Sequence, residues 1–298
     1  MSSPKIKKLT LDQRRNLIGW LFLMPAVIFI IVFMFYPIVQ ALITSIQSGS
    51  GANIKWVGTK NYLRMFEDRK LRTAIKNTLI YAVWQVPIML GLALVLAAVL
   101  NSKKVKLKAW FRTMLFLPCT MSLVAYAIIF KLMFATNGII NGFLVSVGIL
   151  NTGFNFLGNA LGAKVVLIIS LVWRWTGYNM IFYVTGLTNI DYLLYEAAQI
   201  DGATPWQSFR YITVPMLKPV ILLTIIMATN GNLQLFDETF NLTAGGPGDA
   251  TISISQYIYE TAFKSVPNFG YACAIGFTLM VVIAALVFFQ MKVGDSND

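Results

Sequence analysis

The sequence predicts an all-α integral membrane protein with six transmembrane helices. Its 298 residues are 57% hydrophobic, and the mean hydropathy is +0.68. Only 12% of the residues are charged, against about 25% in soluble domains. Several charge-free apolar runs reach the roughly 20 residues that a helix needs to cross a bilayer. This composition excludes an ordinary soluble enzyme and a disordered chain.

The charged and reactive residues narrow the function further. Lys and Arg number 24 against 12 Asp and Glu, so the net charge is +12. The basic residues lie between apolar runs, which favours membrane topology over a nucleic-acid partner. The chain has no His, and its two cysteines, Cys119 and Cys273, lie in apolar runs without metal-ligand spacing. We therefore expect no catalytic residue, no metal site and no cofactor.

The spans are predicted from long apolar runs, of which the third contains Lys131 near one end, the fourth is interrupted by Arg174 and the fifth begins at Lys218. In chain order they are residues 17–43, 78–100, 113–134, 165–187, 218–236 and 271–291. The first run, 27 residues long, exceeds the roughly 7–15 of a cleavable signal peptide and is expected to remain as an anchor. Pro25 and Pro37 are expected to bend it. The stretch 135–164 is rich in Asn and Gly, and predicts a loop with a short amphipathic helix around 139–150.

The basic clusters predict the orientation. The tail 1–16 and the loop 101–112 each hold five basic residues, and the positive-inside rule places both in the cytoplasm. Six spans then place the loop 189–217 and the C-terminus inside as well. The segment 45–76 disagrees, since its seven basic residues would lie outside, but it exceeds the short loops that set orientation. We predict a cytoplasmic tail 1–16, a membrane domain 17–291 and a cytoplasmic tail 292–298.

The loop 189–217 predicts two short helices around a tight turn. Asp191 is suited to cap the first helix, and Gly202 to form its left-handed C-terminal cap. Thr204 is suited to cap the second helix, with Pro205 in the first turn, where no amide donor is needed. Small side chains keep one side of this loop thin, so that another protein can approach closely.

The same loop carries a recognisable motif. Glu196-Ala197-Ala198 is followed after three residues by Gly202, and after nine more by Ile212-x-Val214-Pro215. This pattern resembles the Glu-Ala-Ala (EAA) motif of inner-membrane permeases of binding-protein-dependent ABC importers; Val214 in place of Leu is a mild apolar change. Further segments resemble the sugar branch of that family, which includes the maltose and glycerol-3-phosphate permeases: Pro25, Tyr36-Pro37, Val57-Gly58, Asn61-Tyr62, residues 173–180, Phe236-Asp237 and residues 243–251.

The resemblance implies a permease subunit that moves a carbohydrate across the cytoplasmic membrane. The sequence has no Gly-x-x-x-x-Gly-Lys-Ser/Thr phosphate-binding segment, so we expect ATP hydrolysis to belong to partners. The implied partners are a second homologous permease in a heterodimer, two ATP-hydrolysing subunits and an extracytoplasmic solute-binding protein. The loop 189–217 would be the coupling loop that docks in a cleft of the ATPase. The implied coupling residues are Glu196, Ala197, Ala198, Asp201, Gly202, Ile212 and Pro215.

Polar and aromatic side chains in the fourth and fifth spans are candidates for the solute path, because polar groups facing the middle of a membrane usually line a path or cavity. They are Arg174, Trp175, Tyr178, Asn179, Asn230, Asn232, Gln234 and Asp237. Such groups equally serve as contacts between helices. Arg174 fits an anionic solute or, as the favoured reading, a structural ion pair. Asp237 and Glu238 fit a gate, a docking surface for the binding protein or a solvated helix end.

Two other classes of protein compete with this interpretation. Gly246-Pro247-Gly248-Asp249 matches the Gly-x-Gly-Asp signature of intramembrane aspartyl proteases, but that chemistry needs a second Asp facing the first. No Asp lies in a predicted span. A self-contained secondary transporter often has internal repeats or membrane-buried carboxylates, and the sequence predicts neither.

Overall fold

The computed structural model describes residues 10–49, 54–102, 105–264 and 266–295. Within these residues the chain is helical apart from loops and one small sheet, which confirms the predicted fold class. Lys5, Lys7, Lys8, Lys103 and Lys104, on which part of the predicted orientation depends, lie outside the described residues, as does the end of the predicted C-terminal tail.

The elements follow one another along the chain with short connections. The sheet pairs β1 (Gln47–Ser48) with β2 (Lys55–Trp56) in antiparallel register. The helices are α1 (Leu11–Ile30), α2 (Tyr36–Ser45), α3 (Lys60–Glu67), α4 (Arg69–Asn101), α5 (Lys108–Thr120), α6 (Leu123–Met133), α7 (Ile139–Ser146), α8 (Ala160–Thr188), α9 (Leu193–Ile200), α10 (Pro205–Ser208), α11 (Val214–Met216), α12 (Lys218–Leu233), α13 (Asp237–Thr243), α14 (Ile254–Phe263) and α15 (Phe269–Asp295).

Six membrane spans are compatible with the described helices. Four are long and apolar enough individually: Leu11–Ser45, Arg69–Asn101, Ala160–Thr188 and Phe269–Gly294. The pairs Lys108–Thr120 with Leu123–Met133 and Pro205–Met216 with Lys218–Leu233 bring the number to six if each bent pair is one span. The second and fourth spans begin earlier than predicted, because Asp68 caps a basic first turn of α4 and Asn159 caps a first turn of α8 that precedes Lys164.

The first span continues through both of its prolines. A π-helical turn, Ile31–Phe35, joins α1 to α2 immediately before Tyr36-Pro37. Proline removes a backbone donor, and a wider turn is one way in which a helix accommodates this loss. No side chain of α1 or of the π turn is buried within the described chain.

The prediction of a continuous third span, residues 113–134, is wrong. Helices α5 and α6 meet at 98°, with Met121 and Ser122 in extended conformations between them. Pro118 lies in the last turn of α5 and has no amide to continue the helical ladder. The short helix predicted around 139–150 is present as α7, although it ends at Ser146.

Helix α8 is the centre of the packing. It lies along α4 and also contacts α5, α12 and α13. Its Gly177 permits the close approach to α5, because a Cβ atom there would collide with the carbonyl oxygen of Leu115. Buried aromatic residues, including Tyr81 and Tyr126, fill the space between α4, α6 and α8.

A polar network joins the start of α4 to α14 and α15. The Asp68 carboxylate accepts hydrogen bonds from the hydroxyls of Tyr257 at 2.5 Å and Tyr271 at 2.7 Å. Burial acts to raise the pKa of Asp68, but these hydrogen bonds and those from two backbone amides outweigh it and lower the pKa. Lys70 pairs with Glu260 and Asp249, each at 2.9 Å. Neither α14 nor α13 is predicted from the sequence.

Candidate functional site

A cavity of about 380 Å³ lies between α4, α8, α12 and α13. Seven of the eight predicted path residues line it, namely Arg174, Trp175, Tyr178, Asn179, Asn232, Gln234 and Asp237. The eighth, Asn230, lies one turn before Gln234 and accepts a hydrogen bond from its amide at 2.5 Å. Two distant sequence segments thus converge on one space, although their function there remains a prediction.

One face of α8 supplies the aromatic side of the cavity. Trp175 and Tyr178 are one helical turn apart, and their rings meet edge to face at 5.7 Å. Both side chains are half-buried, so part of each ring faces the open space. Asn179 donates to the Trp175 carbonyl at 3.0 Å, which orients its amide along the same face.

A buried charge pair forms the wall between α8 and α13. Arg174 is 5% exposed and Glu238 is 6% exposed, with 3.8 Å between Arg174 Nε and Glu238 Oε1. Trp175 Nε1 donates to the same carboxylate oxygen at 3.1 Å. Arg174 Nη2 donates to the Met121 carbonyl at 3.3 Å, at the break between α5 and α6. The ion-pair reading of Arg174 therefore has a partner within the same chain.

Two expectations about carboxylates are corrected by this pair. Glu238 is not a solvated helix end, and the chain does contain a buried carboxylate. The reason is tertiary: the backbone turns sharply at Phe236, and α13 packs back against α8 and α6. A linear pattern cannot indicate this reversal.

An amide pair forms the opposite wall. Asn232 Nδ2 on α12 donates to Gln85 Oε1 on α4 at 2.8 Å, and Gln85 Nε2 contacts Met89 Sδ at 3.1 Å. Gln85 lines the cavity but is not among the predicted path residues. Its signal in the sequence is an isolated amide within the apolar second span, which polar-residue reasoning would have selected.

The loop 189–217 has the predicted local structure. Asp191 Oδ1 accepts from the Leu193 amide at 2.9 Å before α9 begins. Gly202 has φ of +80°, as required for a left-handed cap. Thr204 and Gln207 form a reciprocal capping box at the start of α10.

The loop is attached to the membrane domain on one side and exposed on the other. The hydroxyls of Tyr195 and Thr213 lie 2.9 Å apart and join its two halves, and Tyr195 packs against the buried cluster that includes Leu187 and Leu217. The exposed side carries Glu196, Ala197, Asp201, Gly202 and Pro215, while Ala198 and Ile212 are half-buried. Several large apolar side chains of the loop are also exposed, including Ile200 at 86%, Trp206 at 69% and Leu193 at 66%. A concentration of exposed apolar side chains is typical of an interaction site.

The aspartate of the competing protease signature, Asp249, takes part in structural contacts. Asp249 lies in the loop between α13 and α14, and its carboxylate pairs with Lys70 at 2.9 Å rather than with a second Asp. The backbone carbonyl of Asp249 accepts from Asn77 at 3.1 Å. The geometry therefore gives no support to the aspartyl protease alternative.

Comparisons with known proteins agree with the motif. The sequence profile of the binding-protein-dependent transport system inner membrane component family matches residues 70–293. A lactose transport system permease protein of Rhizobium radiobacter is 48% identical over 274 residues, covering 91% of this chain and 92% of that protein. An arabinooligosaccharides transport system permease protein of Bacillus subtilis is 33% identical over 280 residues, covering 93% and 88%.

Solved structures give the same fold. A chain of a bacterial ABC transporter involved in the import of the acidic polysaccharide alginate has a TM-score of 0.84 at 24% identity, covering 96% of this chain and 97% of that one. A chain of a bacterial alginate ABC transporter in complex with an alginate pentasaccharide-bound periplasmic protein has a TM-score of 0.82 at 25% identity, covering 94% of each.

Proposed function

The chain belongs to the family of binding-protein-dependent transport system inner membrane components. From this membership we infer that it is a permease subunit of an ABC importer for a carbohydrate. The relative at 48% identity is named a lactose permease, and the relative at 33% is named an arabinooligosaccharide permease. Carbohydrate is therefore the solute class that the similarity favours.

The observation that carries this proposal is the chemistry of the cavity. Sugars present apolar C–H faces that stack on aromatic rings and hydroxyls that bond to amides. The cavity offers both, with Trp175 and Tyr178 on one side and the amides of Gln85, Asn232 and Gln234 on the other. Its volume of about 380 Å³ lies within the range of small-molecule sites, roughly 300–1,000 Å³.

The loop 189–217 is proposed to couple this path to ATP hydrolysis in partner subunits. Its exposed side holds Ala197 and Gly202, whose small size lets a protein surface approach closely, beside the exposed carboxylate of Glu196. The start of α12 follows the loop directly, so a force on the loop reaches a helix that lines the cavity. The partners proposed are two ATP-hydrolysing subunits, a second homologous permease in a heterodimer and an extracytoplasmic solute-binding protein.

The location proposed is the cytoplasmic membrane, with both termini on the cytoplasmic side. The basic residues Arg14 and Arg15, beside the first span, support this orientation, together with Lys106, Lys108 and Arg112 in and beside the loop between α4 and α5. The bilayer and the second permease would cover the apolar surface of α1 and α2, most of which is exposed in the single chain.

The solute path is tested by uptake in the reconstituted importer. Trp175→Ala and Gln234→Ala are expected to change the apparent affinity for solute, because each removes a group that lines the cavity. Trp84→Ala is the matched control, since Trp84 is exposed on α4 and does not line the cavity. If competition profiles of both cavity variants equal those of the wild type, these side chains are contacts between helices.

The coupling role is tested separately. Glu196→Ala is expected to reduce uptake and solute-stimulated ATP hydrolysis while the amount of protein in the membrane stays the same. Glu67→Ala serves as a control at an exposed carboxylate far from the loop in sequence. Normal uptake in the Glu196 variant would refute the coupling role.

A further inference from the structure

The net charge of the residues that line the cavity bears on whether it can accept a charged solute. Among the residues that line it, three are charged: Arg174, Asp237 and Glu238. Arg174 and Glu238 are both buried and lie 3.8 Å apart at their nearest charged atoms. Asp237 is exposed at the neighbouring position. The positive charge of the cavity is thus already paired within the chain.

With Glu238 ionised, one cation and two carboxylates give these residues a net charge of −1. An anionic solute loses its hydration on entering such a space and finds no unpaired cation to compensate. An uncharged sugar carries no such penalty, and its hydroxyls can bond to the amides.

Glu238 also fixes the groups that a sugar would touch. Its Oε1 accepts the Trp175 indole N–H at 3.1 Å, which holds the aromatic ring against the cavity. Arg174 lines the cavity, and its buried Nε and Nη1 have no hydrogen-bond partner among the described residues. The ionised Glu238 carboxylate balances its charge.

We propose that Glu238 determines the solute class, by neutralising Arg174 so that the cavity accepts uncharged carbohydrates and disfavours uronates and sugar phosphates. This inference rests on the proposed function, in which the cavity is the solute path. Glu238 acts as a specificity-determining and positioning residue.

The test is equilibrium binding to the purified complex of permeases and ATPases, measured without the binding protein so that its preference does not enter. The probes are radiolabelled lactose and the uronate in which the galactose C6 hydroxymethyl is a carboxylate. Wild type is expected to prefer lactose. Glu238→Gln is expected to raise the uronate-to-lactose affinity ratio about tenfold, the gain from one charge-assisted hydrogen bond to an unpaired guanidinium.

Two further variants keep the test decisive. Asp237→Asn removes an exposed carboxylate without touching the buried pair, and is expected to shift the ratio in the same direction by a smaller factor. Glu67→Gln removes the same charge away from the cavity and is expected to leave the ratio unchanged.

Each outcome bears on a different statement. If wild type binds lactose but neither cavity variant shifts the ratio, or Glu67→Gln shifts it equally, the charge inference is overturned and the proposed path stands. If wild type binds neither probe, the cavity is not a solute site, and the proposed path and the inference both fall.

Discussion

The backbone conformation of Gly202 allows the free-energy cost of a substitution at this turn to be estimated. Gly202 has φ of +80°, and a Cβ atom added there would meet nothing within 4 Å. Gly202→Ala therefore adds no collision within the chain. It adds only the cost of placing an alanine in the left-handed region, roughly 1–2 kcal/mol.

This cost should lower the population of the native turn. A penalty of 1–2 kcal/mol corresponds to a factor of about 5–30 in an equilibrium. Asn tolerates the left-handed conformation better than Ala does, so Gly202→Asn should be impaired less although its side chain is larger. The expected order of solute-stimulated ATP hydrolysis is wild type, then Asn, then Ala.

The assay is ATP hydrolysis and solute uptake by the reconstituted importer, normalised to the amount of permease in the membrane. The same order in both measurements supports a role for the turn conformation. If Asn is as impaired as Ala, or worse, side-chain bulk at the partner surface is the cause and the backbone reasoning is refuted. Wild-type coupling in the Ala variant would also refute it.

Three further outcomes are expected. Gly177→Val should strongly reduce the yield of folded protein in detergent, because the new side chain collides with a carbonyl oxygen of the facing helix. Gly91→Val should be tolerated, since a Cβ atom at Gly91 meets nothing within 4 Å. Equal yields of the two variants would refute the packing argument. Asp68→Asn should lower the melting temperature at neutral pH, and the difference from wild type should shrink below about pH 4. The pKa of Asp68 is lowered in the folded protein, so its ionised form contributes stability above the ordinary carboxyl pKa, and this stability is lost as the pH falls through the folded-state pKa. A difference in melting temperature that does not depend on pH would contradict this. Cysteine labelling of Thr204→Cys should occur from the cytoplasmic side only, and labelling from outside would reverse the orientation.

Local features of the fold were predictable because single residues determine them. Asp191 accepts a hydrogen bond from the Leu193 amide just before α9, Thr204 forms the expected cap of α10, and Gly202 adopts the expected left-handed conformation. Long apolar runs likewise predicted the four spans that are single long helices. Each of these signals acts within one or two turns of helix, so the linear sequence contains the whole interaction.

Features that depend on distant contacts were not predictable in the same way. The break after Pro118 lies inside an unbroken apolar run, which reads as a continuous span. Glu238 follows a span and resembles a solvated end until α13 folds back on α8. Gln85 has a sequence signal as an isolated amide in an apolar span, but its pairing with Asn232 at 2.8 Å depends on the packing of α12 against α4.

The interrupted third span has a consequence for how the interior can move. The discontinuity presents the Met121 carbonyl to Arg174 at 3.3 Å, so an unwound peptide serves as a ligand for a buried guanidinium. Straightening α5 and α6 into one rod would withdraw that oxygen and leave the cation less well solvated by protein. A change in the angle between α5 and α6 would therefore also change the electrostatic environment of Arg174 in the cavity.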